Sequence, residues 1–307
     1  MRVLRRVTFT ILLVLLACSG IGLLGGLNWF LDLFNSFRPQ AVCVAALLMI
    51  YAVYFRWRSC IAVGLVVIVL NGSLMAARMI AFGGAEEADQ AAKPVKLISA
   101  NVLASNSQWS SVMNLVARER PDIIVVVEVT HEWADALKLL PKEYSHSLVE
   151  ARFGVFGMAA YSRLPFTGHV LRVGARKLPL FYMDFGSFVV MAAHPPPPVT
   201  TELATEHRLY IEEIADRARQ VAKPVIVAGD FNGTLWNNSM RPLPKAGLRS
   251  SHPSGLAFTW PRGFVPFAMQ IDHVLVRDAA VSDFRVLMDI GSDHRPITTS
   301  FAPLTGR

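Results

Sequence analysis

In the stretch KPVIVAGDFNG, residues 223–233, Asp230 and Asn232 stand directly after the run VIVAG, whose residues are β-branched or small. Such a run suits a buried strand ending at Gly229. The pair would then sit at the strand's carboxyl end, where open sheets place their ligands. An Asx turn, with Asp and Asn bonding their own backbone, is the alternative reading. The same pattern recurs along the chain, with Asn101 in ISAN, Glu128 in VVVEV, His194 in VMAAH, Asp272 and His273 in QIDHVLV, and Asp293 and His294 in GSDHRPI. Carboxylates are rarely buried unless paired or metal-bound, so one at nearly every core-strand end asks for a reason. If those ends converge they make an oxygen-rich site with a few imidazoles. Hard oxygen donors without cysteine favour Mg²⁺ or Mn²⁺ over Zn²⁺. Such a site can neutralise a phosphate oxygen while a histidine handles a proton of water.

The elements that must position these residues begin at Val95. Short apolar runs predict strands at 95–100, 123–127, 144–149, 156–161, 170–173, 180–184, 188–193, 225–229, 270–276, 281–287 and 297–301. Two helices are expected. One covers 109–120, with Trp109, Val112, Met113 and Val116 inward; the other covers 202–221, with Leu203, Ile211, Ile214 and Ala218 inward. Many strands with few helices argue for two packed sheets flanked by helices, an α/β (α+β) domain over residues 95–307. His273 should face away from Asp272, its strand neighbour. His207 and Arg208 are expected on a solvated helix face, Trp260 in packing, and His131, His146, His169 and His252 on surface or loops. The run LPLFYMDFGSF, 178–188, reads as a buried hairpin, with a membrane-facing loop as the alternative.

The remaining third is different in kind. Mean hydropathy is +0.39 and only 17% of residues are charged. Residues 1–83 carry seven arginines and one aspartate, net +6, whereas residues 84–307 carry 23 basic and 22 acidic residues, net +1. The positive excess therefore sits beside apolar runs, where it sets membrane topology, and is not the footprint of a nucleic-acid-binding domain. Spans are expected at 7–27, 39–55 and 59–77, with 84–94 as a linker. Arg2, Arg5 and Arg6 share a side with Arg56 and Arg58, so three crossings in a plasma (inner) membrane place the following domain on the extracytoplasmic face. If the short second segment only dips into the bilayer, the domain faces the cytosol. A cleaved signal peptide would need a shorter first run. Cys18, Cys43 and Cys60 all lie in this third, which excludes a disulfide framework for the rest.

The order Asn101, Glu128, His194, GDFN, IDH, SDH resembles the endonuclease/exonuclease/phosphatase superfamily over about 95–301. GDFN and SDHRP are its specific parts. The resemblance implies a four-layered αββα sandwich and a divalent-metal-dependent hydrolase of phosphoesters. It implies Glu128 as principal ligand of Mg²⁺ or Mn²⁺, with Asn101 beside it and Asp293 completing the metal side. Asp230 and Asn232 would orient water and hold the phosphate. His294 would be the base or a phosphate contact, its tautomer fixed by Asp272, and His194 would contact the phosphate or protonate the leaving group. Tyr161 is a candidate phosphate contact. Val127 replaces a frequent Gln, and VLASN after Asn101 lacks the Asn-Gly-Arg of abasic-site endonucleases; both count against DNA repair.

The expected activity is a membrane-tethered phosphodiesterase acting on nucleic acid or a phospholipid head group at the bilayer. The alternatives are a phosphomonoesterase of a small ligand and a non-catalytic module on the same fold. No obligate protein partner is inferred.

Overall fold

The computed structural model describes residues 1–85 and 94–304. The linker expected over 84–94 lies outside the described residues except at Gly84, Ala85 and Pro94. The chain opens with helices α1 (Arg2–Leu23), α2 (Trp29–Leu33), α3 (Arg38–Tyr54) and α4 (Arg58–Phe82). The stretches Arg2–Gly26, Trp29–Tyr54 and Arg58–Phe82 are each long and apolar enough to cross a membrane. The second is longer than the 39–55 run because α2 and a 3-10 turn extend it toward the amino end. A polar thread ties the three together: Arg38 Nη1 donates to Asn71 Oδ1 at 2.8 Å, and Asn71 Nδ2 donates to Ser19 Oγ at 2.8 Å. Between apolar helices such bonds fix register.

The rest of the chain forms two six-stranded sheets. The strands are β1 (Val95–Asn101), β2 (Ile123–Val127), β3 (His146–Glu150), β4 (Met158–Ser162), β5 (Thr167–Val173), β6 (Leu178–Asp184), β7 (Val189–Ala193), β8 (Val225–Asp230), β9 (Arg249–Ser250), β10 (Asp272–Arg277), β11 (Ala279–Val286) and β12 (Ile297–Pro303). One sheet runs β11-β12-β1-β2-β4-β3 and the other β5-β6-β7-β8-β10-β9. Each contains one parallel pair, β1 with β2 and β7 with β8; their other pairings are antiparallel.

Period-two alternation explains why these strands are apolar throughout. Leu97, Ile123, Val125 and Val127 face Val190, Ile226, Ala228 and Val274 in a core between the sheets. Ile98, Ile124 and Val126 point the other way, onto α5 (Trp109–Glu119) and α6 (His131–Leu137). Val189, Met191, Val225 and Val227 point onto α7 (Thr201–Gln220). The result is the αββα sandwich. The 178–188 run is a buried hairpin arm, with Leu178, Leu180, Phe181 and Met183 in the cores.

Three features differ from expectation. Trp109 is 41% exposed, and Leu115 takes the inward place on α5. Helix α6 has only seven residues, too short for a periodic signal, and is capped by Thr130 Oγ1 accepting from Trp133 N. His146, half-buried on β3, and His169, exposed on β5, lie toward the surface as expected. His207 is buried, because it shares the inward stripe of α7 with Tyr210, Ile211 and Ile214 at helical spacing.

Candidate active site

The two parallel pairs end at the same edge of the sandwich. Asn101 closes β1, Glu128 follows β2, His194 follows β7 and Asp230 closes β8. Asp272 opens β10 directly opposite Asp230, and the turn holding Asp293 and His294 leads into β12 beside β1. Five of the eight expected residues therefore come from strand ends at one edge, and Asn232, Asp293 and His294 come from the adjoining turns.

Gly229 makes the approach possible. Its φ is +153°, and a Cβ there would lie 1.8 Å from the carbonyl oxygen of Ala193 on β7. Only glycine lets the two strands carry His194 and Asp230 so close together. Beyond it, Asp230 Oδ1 accepts the backbone N–H of Asn232 at 2.8 Å, an Asx turn in which Asn232 has φ +46°. The turn reading and the site reading of GDFN are thus both realised, because Oδ2 of Asp230 stays directed at the other strand ends. Glu128 and Leu103 also hold left-handed backbones, φ +64° and +60°. Strain of this kind gathers where side chains are aimed for function.

At the centre, Asn101 Nδ2 lies 3.0 Å from Glu128 Oε1 and 3.1 Å from Asp230 Oδ2. Its Oδ1 accepts from Leu103 N at 2.9 Å, which turns the NH₂ inward. Glu128 Oε2 accepts from Ala104 N at 2.9 Å. His294 Nδ1 is 2.9 Å from Asp272 Oδ2, and its Nε2 is 3.7 Å from Asp230 Oδ2, as is His194 Nε2. Asn232 Nδ2 donates to Pro195 O at 3.0 Å, joining the loops that follow β7 and β8.

The electrostatics separate the roles. Burial works against a charge on His294, but Asp272 and Asp230 outweigh it and push its pKa up to about 10. Burial, reinforced by Asp272, raises the Asp230 carboxyl, although His294 and His194 pull against it. Burial lowers His194, leaving it neutral. Asp230, Asp272 and His294 hold potential ligand atoms within 4.8 Å of one another. In that cluster Asp272 and Asp230 flank the two ring nitrogens of His294, at 2.9 and 3.7 Å. Glu128 offers carboxylate oxygens for a hard divalent cation beside Asn101 and Asp230, and the cysteines are confined to the N-terminal helices. The residues present fit Mg²⁺ or Mn²⁺.

Residues 98–294 match the Endonuclease/Exonuclease/phosphatase family. The chain belongs to that family. Among solved structures, the sandwich is similar to D. rerio TDP2 complexed with single-strand DNA product, at 16% identity over 68% of this chain and 99% of that one, TM-score 0.57. The 3′ phosphatase NExo from Neisseria, bound to a product DNA hairpin, aligns at 21% identity over 67% and 99%, TM-score 0.56. A family protein from Bacteroides thetaiotaomicron aligns at 18% identity over 70% and 98%, TM-score 0.52. At these identities the likeness is one of fold. No curated protein matches the chain in sequence.

Within this family fold, three further residues serve the site. Trp260, expected only to pack, donates its Nε1–H to Asp293 Oδ2 at 2.9 Å and so holds the Asp293–His294 turn. Thr259 Oγ1 lies 3.3 Å from the backbone N–H of both Ile271 and Asp272. His273 faces away from Asp272, as expected, with Nε2 2.9 Å from Gly233 O, and braces the GDFN turn from behind. Tyr161 does not serve: it lies at the far end of β4, packed in the core under α5 and α6. The sequence assigns none of these contacts: Trp260 lies in AFTWP and meets Asp293 across 33 residues.

Proposed function

We propose that this chain is a membrane-tethered, divalent-metal-dependent phosphodiesterase. Residues 1–83 form its anchor and 95–307 its catalytic domain, on the extracytoplasmic side of a plasma (inner) membrane. The observation that carries the reading is the buried Asp272–His294–Asp230 series beside Asn101 and Glu128. Asp230, made more basic than an ordinary carboxylate, takes the proton of the attacking water while Asn232 holds the phosphate. His294, kept cationic by Asp272, stabilises the charge that gathers on the phosphate oxygens. His194, neutral through burial, donates a ring N–H to the phosphate or the departing oxygen. Glu128 would hold Mg²⁺ or Mn²⁺, with Asn101 and Asp293 beside it. When bound, the ion neutralises a phosphate oxygen.

The side of the membrane is supported by charge and contact together. Arg5 donates to Ser59 Oγ at the end of the helices that also carries Arg2, Arg6, Arg56 and Arg58, while the sandwich meets the opposite end. The reading is tested with the full-length chain in detergent, with and without Mg²⁺ or Mn²⁺, on plasmid DNA, a chromogenic phosphodiester and phospholipid vesicles. Metal-dependent hydrolysis lost in Asp230→Ala and His294→Ala supports it. Hydrolysis surviving in both variants contradicts it.

A further inference from the structure

The catalytic edge of the sandwich is the edge that rests on the membrane helices. Three loops leave the strand ends of the site, and each is fastened to the connection between α1 and α3 or to the first turn of α3. After His194, Thr201 Oγ1 accepts from Trp29 Nε1 at 3.2 Å. After Asp230 and Asn232, the backbone N–H groups of Asn238 and Ser239 donate to Asp32 at 2.8 and 3.1 Å. Before Asp272, Ala268 O accepts from Gln40 Nε2 at 2.8 Å, and Phe267 packs edge-on against Phe37 at 6.2 Å.

The third helix fixes the same orientation. Asn71 lies level with the start of α3 through its bond to Arg38. From there α4 continues eleven residues to Phe82, roughly 16 Å at helical rise, along the flank of the sandwich. Met75, Met79 and Phe82 pack into the core under α7, and Arg249 Nη1 donates to Ala81 O at 2.9 Å. The chain then re-enters at Val95, the end of β1 remote from the site. A domain fed from its far edge and fastened by its catalytic edge holds the site toward the bilayer surface.

The rim of that edge is apolar. Phe264 is 55% exposed and stacks on Phe267, itself 50% exposed; Val199, in the loop after His194, is 58% exposed; Phe30 is 54% exposed. This rim is continuous with the helices through Phe37. Exposed phenylalanines at such a level bury their rings at the boundary between head groups and acyl chains.

We propose that the substrate is a membrane-resident amphiphile, a phospholipid whose phosphoester reaches the site from the bilayer while its acyl chains stay in it. The proposal rests on the phosphoesterase reading above and deepens it. Water supplies the hydroxyl to phosphorus, the P–O ester bond breaks, and the departing oxygen takes the proton.

The full-length chain in mixed micelles tests this with four substrates: a long-chain phospholipid, its water-soluble glycerophosphodiester, plasmid or single-stranded DNA, and a chromogenic diester. The expected result is phospholipid turnover at least about tenfold above the glycerophosphodiester, with a rate that follows lipid mole fraction at fixed bulk concentration. Faster cleavage of DNA or of the soluble diester overturns the lipid proposal. Cleavage of the chromogenic diester alone overturns it while leaving the phosphoesterase reading intact, and cleavage of none of the four overturns both. Placement has its own readout: Phe264→Trp in nanodiscs should show more quenching by brominated lipid than the parent chain, and equal quenching contradicts the rim's contact with lipid.

Discussion

The Nδ1 atom of His294 lies 2.9 Å from Oδ2 of Asp272, with both side chains buried. Asp272 is thereby tied to the imidazole that faces the site, and its backbone is set opposite Asp230 by the β8–β10 register. In Asp272→Asn the histidine should lose its main support, and its pKa should fall from about 10 toward the ordinary 6.5. Between those values the folded parent holds a proton that the unfolded chain releases, so its stability falls as pH rises through that window. Histidine NMR titration and urea unfolding at several pH values check this. The variant should lose that slope, and kcat should drop by about 10²–10⁴-fold. An unmoved His294 titration would contradict the pairing.

Gly229→Ala should disable the site without touching any polar group. Its Cβ would collide with backbone, Ala193 O, at a glycine-type φ of +153°. The strands carrying His194 and Asp230 must then separate, at an expected cost of more than about 3 kcal/mol. Thermal unfolding measures it, and a variant as stable and as active as the parent would refute the close-approach argument.

The strand ends were legible in sequence because β-branched runs ending in a polar residue have a single physical reading in a buried sheet. Asn101, Glu128, His194, Asp230 and Asp272 accordingly lie together at one edge. Elements whose meaning depends on distant partners were not legible. Trp260 finds Asp293 across 33 residues, and Asp32 finds Asn238 across 206. Helix α6 was too short for periodicity, and His207 was given to solvent on polarity although its spacing with Tyr210 and Ile211 placed it inside. Tyr161 was offered to the site through the family resemblance, and the β4 register removes it.

Burial holds His207 down to about 4, with only Pro196 O beside its Nδ1 at 2.9 Å. The unfolded chain binds a proton there from about pH 6.5 downward and the folded chain does not. Stability should therefore fall as pH drops from about 6.5 to 4, by on the order of 3 kcal/mol from this residue. In His207→Gln that portion of the slope should disappear in unfolding curves taken across the window. An unchanged slope would show that other groups set the acid limit.

Asp32 accepts from Asn35, Asn238 and Ser239 in a buried setting. Asp32→Ala leaves those donors unpaired, at about 1–3 kcal/mol for each one that stays buried. The loop after GDFN should loosen, seen as faster amide exchange at Asn238 and Ser239 and as lower turnover. Unchanged exchange there would contradict the fastening of that loop by the helix connection.

The most direct measurement is phosphodiester hydrolysis by the full-length chain, titrated with Mg²⁺ and Mn²⁺ after treatment with a chelator, for the parent, Glu128→Gln and Asp230→Asn. Activity should vanish with the metal, return on its addition, need far more metal in Glu128→Gln and stay absent in Asp230→Asn although that variant folds. Hydrolysis that ignores the chelator, or that survives in Asp230→Asn, would contradict the assignment of this edge as the catalytic site.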